Sequence, residues 1–184
     1  MPTWKNILKE FSSIAPPKLP LTTSIMSSTE ATLKAFIHRG PFNETSCAHP
    51  TLAFLEKYAA MVDACDFSGP STRWYSENAC FFNQESIYAS GPEIWKWMAG
   101  SLFGNFGKME GDLFQVTVIE LEEGKKYMLL ANENRTFWMK GKEPVTLPRA
   151  LQFTTGLAED GEGEDGWQHL GECRVWWNPS LLMA

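Results

Sequence analysis

Between Pro50 and Cys65, apolar residues recur at Leu52, Leu55, Tyr58, Ala59, Val62 and Cys65 with polar residues among them. At about 100° per residue these positions share one arc, which predicts an amphipathic helix lying on a core. Pro50 suits its first turn, and Ser68-Gly69-Pro70 should break the chain after it. Ala79 to Phe82 predicts a short strand. Gly91-Pro92 then opens a second helical pattern bearing Ile94, Trp95, Met98 and Leu102, and Gly100, Gly104, Gly107 and Gly111 predict a loosened stretch beyond it.

After that the period changes. Phe114 to Leu121, Lys126 to Met139, Val145 to Gly156 and Trp167 to Trp177 are rich in β-branched and aromatic residues and are separated by turn signals, so they predict strands. Glu122-Glu123-Gly124-Lys125 predicts a hairpin turn. Ala158 to Gly166 predicts a solvated hairpin loop rather than a metal site, because its carboxylates lack the order of a calcium loop. Helices followed by an antiparallel sheet imply an α+β fold.

In front of this body, residues 1 to 48 carry two short helical patterns, at Trp4, Ile7, Leu8 and Phe11 and at Leu33, Phe36 and Ile37. Pro16-Pro17-Lys18-Leu19-Pro20 and a Ser/Thr-rich run between them predict a linker or arm. The expected division is an N-terminal extension over 1–48 and one α+β domain over 49–184.

With 184 residues, 43% of them hydrophobic and 13% aromatic, one sizeable core is expected. A net charge of −6 opposes a nucleic-acid role, since phosphate binding relies on clustered Lys and Arg. No run of about 18 apolar residues suggests a membrane span. Met1 to Pro20 is interrupted by Lys5, Asn6, Lys9 and Glu10 where a signal peptide needs an apolar run, so a cytoplasmic location is expected. Cys47, Cys65, Cys80 and Cys173 lack the short spacings of zinc or dithiol sites and suit buried free thiols. With His38, His49 and His169 scattered and no nucleotide fingerprint, neither a metal nor a nicotinamide cofactor is expected.

Trp74-Tyr75-Ser76-Glu77-Asn78-Ala79, then Gly91-Pro92-Glu93-Ile94, then Leu170-x-Glu172-x-Arg174-x-Trp176-Trp177-Asn178-Pro179 follow a helix ending in Asp66. That order, over about residues 49 to 180, resembles the nuclear transport factor 2-like superfamily, particularly its SnoaL-like polyketide-cyclase branch. Glu77-Asn78 replaces the usual Asp pair, and Asn178 replaces an Asp. The resemblance implies a curved antiparallel sheet wrapped on N-terminal helices around a cone-shaped cavity, and commonly a homodimer through the outer sheet face. Trp176 and Trp177 would then place one large aromatic on each face of the last strand.

The resemblance also suggests where to look for chemistry. Compared with the ketosteroid isomerase members, Tyr58 stands where a phenol polarises a ketone, Asn83 where the general base should be, and Gln152 near a second carboxyl. An amide cannot take a proton from carbon near neutral pH. Compared with the scytalone dehydratase members, Asp63 matches a helix carboxylate, yet no histidine between Pro50 and Gln168 supplies the imidazoles. Asp63 lies roughly 140° from Tyr58 on the helix wheel, and a solvated helix-end carboxylate is the simpler reading.

By period two, Trp167, His169, Gly171, Cys173, Val175 and Trp177 share the inward face of the last strand. His169 is a candidate acid or base there, though a histidine on an apolar face is more often structural. Cys173 and Trp177 occupy positions matching pocket residues of the superfamily. Trp95 and two or three tryptophans in all are expected to reach the cavity. On the strand from Tyr127 to Met139, alternation does not choose between a face with Asn132, Asn134 and Thr136 and one with Glu133, Arg135 and Phe137, and a surface Glu133–Arg135 ion pair is the preferred reading.

Two functions stay open. The first is a cofactor-independent isomerase, cyclase or dehydratase acting on a polyketide, terpenoid or related metabolite, a small hydrophobic or polycyclic molecule. The second is a non-catalytic ligand-binding or dimeric interaction module.

Overall fold

A computed structural model of the chain describes residues 33–178 with the exception of 84, 85, 103, 105 and 140. The helical pattern at Trp4 to Phe11 and the proline-rich linker lie outside the described residues. A compact unit begins at Leu33. The elements are β1 (Ala35–Arg39), α1 (Glu44–Cys47), α2 (Pro50–Ala64), β2 (Cys80–Asn83), β3 (Ser86–Tyr88), α3 (Gly91–Trp97), β4 (Phe106–Glu122), β5 (Lys126–Met139), β6 (Val145–Leu157) and β7 (Trp167–Trp176).

The strands form one curved sheet in the order β1-β4-β5-β6-β7-β2-β3. Every pairing is antiparallel except β7 with β2. This is the α+β architecture that the order of patterns predicts. No helix among the described residues is long and apolar enough to cross a membrane.

Pro50 is the first residue of α2, whose buried face holds Thr51, Leu52, Phe54, Leu55, Tyr58, Met61 and Val62. That arc is wider than the sequence pattern, because the sheet curls around the helix. The helix stops at Cys65, which takes a left-handed conformation (φ 51°), before Ser68-Gly69-Pro70 is reached. Asp66 then accepts hydrogen bonds from the Ser68 backbone N–H (3.1 Å) and hydroxyl (2.6 Å), fixing the turn. Continuing α3, Met98–Leu102 forms a π-helical turn.

Two expectations change. Leu33, Phe36 and Ile37 do not mark a helix: Ala35–Arg39 is an edge strand pairing Ile37 with Thr117, and ladder hydrogen bonds along β4 outweigh a three-residue helical pattern. Residues 33 to 48 therefore contribute an edge strand and a capped turn of helix, with Asn43 and Ser46 bonding each other's backbone N–H, to the same compact unit. Gly107 and Gly111 lie inside β4 rather than in a loosened stretch. The 158–166 loop is the largely exposed hairpin connection expected, and two of its acids are tied back to the body: Glu164 binds Arg73 (2.5 Å) and Lys57 (3.3 Å), and Asp165 binds Lys57 (2.5 Å).

The core between sheet and helices is aromatic. The alternation on β7 buries Trp167, His169, Cys173 and Val175 and leaves Trp176 about half exposed (48%). Gly171, at φ 73° beside a register shift, is exposed at a bulge instead of facing inward.

Candidate functional site

A cavity of about 300 Å³ lies between α2 and the inner face of the sheet. Apolar walls come from Leu55, Val62, Phe81, Met98, Met109, Phe137, Leu151, Phe153 and Val175. Its polar part is an ionic chain, Asp63–Arg135–Glu133–Arg149.

Local geometry explains that chain. Tyr127, Leu129, Ala131, Glu133, Arg135 and Phe137 alternate inward along β5, so the pair Glu133 and Arg135 is buried rather than at the surface. Arg135 donates from Nε to Glu133 Oε1 (3.1 Å) and from Nη2 to Oε2 (3.3 Å), and its Nη1 donates to Asp63. Arg149, directly opposite Glu133 in the β5–β6 register, donates to Glu133 Oε1 from Nε (3.0 Å) and from Nη2. Gly111, opposite Arg135 in the β4–β5 register, makes room. A Cβ there would stand 3.0 Å from Arg135 Nη2 and 3.1 Å from Glu133 Oε2.

Two carboxylates and two guanidinium groups balance in charge, which is how such groups tolerate low dielectric. Burial alone would raise the Glu133 carboxyl, but Arg149 and Arg135 outweigh it and hold its pKa below the ordinary value. Asp63 is different. Desolvation raises its pKa despite the attraction of Arg135, and it is the more open of the two, with 31% of its side chain exposed against 7% for Glu133. Its Oδ2 accepts only a long hydrogen bond, 3.4 Å, from the Gly111 N–H.

Tyr58 lines the cavity, and its hydroxyl is hydrogen-bonded to that of Tyr75, which donates on to Met98 Sδ at 3.3 Å. Burial pushes both phenols well up, so each is a neutral hydrogen-bonding group.

The structure brings Tyr58 and Asp63 together on the cavity and places the other candidates outside its lining. His169 is fully buried, with rings of Phe54, Tyr58, Tyr75 and Phe153 around it at centroid distances of 4.5–5.2 Å. Neither ring nitrogen has a hydrogen-bond partner, and burial lowers its pKa to about 3, which makes it a neutral core ring. Asn83 accepts a hydrogen bond from Trp177 Nε1 (3.0 Å), and β2 presents Phe81 to the cavity instead. Gln152 points to the outer face, since its neighbours Leu151 and Phe153 take the inner one. Trp95 packs edge-on against Phe67, Cys173 is enclosed in the core, and Trp177 stacks on Phe137. No tryptophan among the described residues lines the cavity, whose aromatic surface is Phe and Tyr.

Arg149 escaped the sequence reading. Its signal is positional, a cation facing Glu133 on the next strand, and it is visible only once that register is known.

No protein-family model matches the chain, and no curated protein does. Solved structures do. A hexachlorocyclohexane dehydrochlorinase (LinA, type 2) superposes with a TM-score of 0.57 at 10% identity, over 73% of this chain and 86% of that one. A Streptomyces avermitilis protein of the nuclear transport factor 2-like family, described as a dehydratase, gives 0.57 at 13% identity over 73% and 97%. A Xanthomonas campestris protein described as a calcium/calmodulin dependent protein kinase II association domain gives 0.59 at 13% over 76% and 95%. The chain has the nuclear transport factor 2-like fold. The descriptions of these neighbours range from a dehydrochlorinase to an association domain, so the site must decide function.

Proposed function

We propose that this chain is a cofactor-independent enzyme of the isomerase or lyase type, moving a proton on a small, largely apolar metabolite held in the cavity. The observation that carries the reading is Asp63: a desolvated carboxylate with one weakly engaged oxygen, at the edge of an apolar chamber. Desolvation moves a carboxyl toward the pKa that serves proton transfer near neutrality. Asp63 takes the proton and Arg135 and Arg149 neutralise negative charge developing on the substrate, while Tyr58, whose hydroxyl proton goes to Tyr75, forms part of the wall. The volume is at the small end of ligand sites, about 300–1,000 Å³, and favours one or two rings over a larger polycycle. A polyketide or terpenoid fragment of that size fits. Incubating the protein with a panel of cyclic ketones in D2O tests this. Exchange of the α-hydrogens catalysed by the wild type is expected, and no exchange or elimination with any member would remove the reading.

A second reading is favoured by a separate surface. Ile37, Leu130 and Trp176 are exposed on the sheet face opposite the cavity, where the rows through Thr117 and Gln152 and through Asn132 and Ala150 carry few charges. A second copy covering this face makes a homodimer, and in an interaction module that contact is the function. Sedimentation of wild type and Trp176→Glu separates the cases: a dimer lost in the variant supports the contact, and a monomeric wild type at micromolar concentration refutes it.

A further inference from the structure

We propose that Glu133 is a positioning residue for the base: by holding Arg135 side-on, it keeps that guanidinium from closing on both oxygens of Asp63 and so leaves Oδ2 for the substrate's C–H. This rests on the reading of Asp63 just given. An arginine beside a carboxylate favours a fork of two parallel N–H···O bonds, one to each oxygen. Here Glu133 takes the fork. Arg135 gives Nε to its Oε1 (3.1 Å) and Nη2 to its Oε2 (3.3 Å), and Nη1 is what reaches Asp63 Oδ1. Asp63 Oδ2 keeps only the long contact from the Gly111 N–H (3.4 Å). Glu133 is itself fixed from the other side, where Arg149 donates to its Oε1 from Nε (3.0 Å) and from Nη2.

Charge works in the same direction as geometry. Around Asp63 stand Arg135 and Glu133 on β5, Arg149 on β6, Asp112 on β4, and Glu56 and Cys65 at its own helix. Burial first, and the negative charge of Glu133 after it, raise the Asp63 carboxyl against the pull of Arg135. A carboxylate gripped by a fork is a poorer base, whereas one held through a single oxygen keeps a lone pair for a proton. In the reaction Oδ2 forms an O–H bond as the substrate's α-C–H bond breaks, and the C–H electron pair moves into the adjacent carbonyl to give an enolate, to whose carbon Oδ2 can return the proton. Without the Glu133 carboxylate, Arg135 is free to swing its fork onto Asp63 and occupy the oxygen that does this work.

NMR of the full chain reads the arrangement without any substrate. In the wild type the Nη1 and Nη2 signals of Arg135 should be separate, because they bond different carboxylates; a single averaged signal would overturn the proposal without needing any variant to fold. Glu133→Gln keeps the side chain's shape and removes its charge. The Asp63 carboxyl carbon, identified by its loss in Asp63→Asn, should then titrate at lower pH than in the wild type. For hydrogen exchange on a cyclic ketone, kcat should fall at least about tenfold with KM kept within about threefold. A merely structural contact leaves the Asp63 midpoint where it was, so an unchanged midpoint, or a loss confined to KM, would overturn the proposal. Separate Nη signals and a lowered midpoint in a protein that exchanges no hydrogens would sink the enzyme reading alone. Exchange by a wild type whose Nη signals are averaged would sink this inference alone.

Discussion

Two polar groups are buried between the curved sheet and its helices, and they are treated in opposite ways. Arg135 reaches three carboxylate oxygens from three of its donors, in a chain of four alternating charges beside an open chamber. His169 sits among four aromatic rings with both nitrogens unbonded, and Tyr58 and Phe153 stand between it and the chamber. Burial by itself is therefore a poor guide to function. The distinction lies in whether the surroundings supply charge and space for a ligand, as at Arg135, or only packing, as at His169.

Breaking the ionic side should have the larger effect. Glu133→Ala strands Arg149 in low dielectric and leaves Arg135 with Asp63 alone, and chemical denaturation should show a loss of about 3–5 kcal/mol. A loss below about 1 kcal/mol would mean that solvent already reaches the network.

The aromatic side should respond to acid. His169 has a folded pKa of about 3 against an ordinary 6.5, so the unfolded chain binds more protons between those values. Stability is full above the unfolded pKa and falls as pH drops through that window, by up to ~1.4 kcal/mol per pH unit from this group. His169→Phe should remove that share of the acid slope. Its stability near neutrality should stay within about 1 kcal/mol of wild type, because an unbonded polar ring is exchanged for an apolar one of similar shape. An unchanged acid slope in the variant would show that other groups dominate acid unfolding.

The smallest effect sharpens the ionic side rather than breaking it. Gly111→Ala places a methyl group 3.0 Å from Arg135 Nη2 and should cost about 1–3 kcal/mol as the guanidinium shifts. Thermal melts of Gly111→Ala in wild-type and Arg135→Met backgrounds would localise the clash, which should shrink in the second.

The sequence revealed the elements better than their faces. Pro50 and the wide apolar arc mark α2, and the turn at Gly124 bounds β5 at Lys126 because only a few residues suit a positive φ. β1 was hidden, since five residues fit either period until an edge of β4 is available to pair with. The phase of β5 was hidden for a different reason. Its inward row is interrupted by Glu133 and Arg135, and hydrophobicity alone turns such residues outward. What turns them inward is Gly111 on one neighbouring strand and Arg149 on the other, long-range partners that no local pattern contains. The same limit misplaced the pocket aromatics: tryptophan content indicated a large core, while the lining fell to Phe81, Phe137 and Phe153 through register.

On the proposed function, proton transfer belongs to the ionic side of the fold and not to the aromatic one. Hydrogen–deuterium exchange on whichever cyclic ketone the wild type turns over, followed by NMR in Asp63→Asn and His169→Phe, tests it most directly. Asp63→Asn should lower the exchange rate by at least about a hundredfold, the scale of a general base, while His169→Phe stays within a few-fold of wild type. Full exchange in Asp63→Asn together with its loss in His169→Phe would contradict the account.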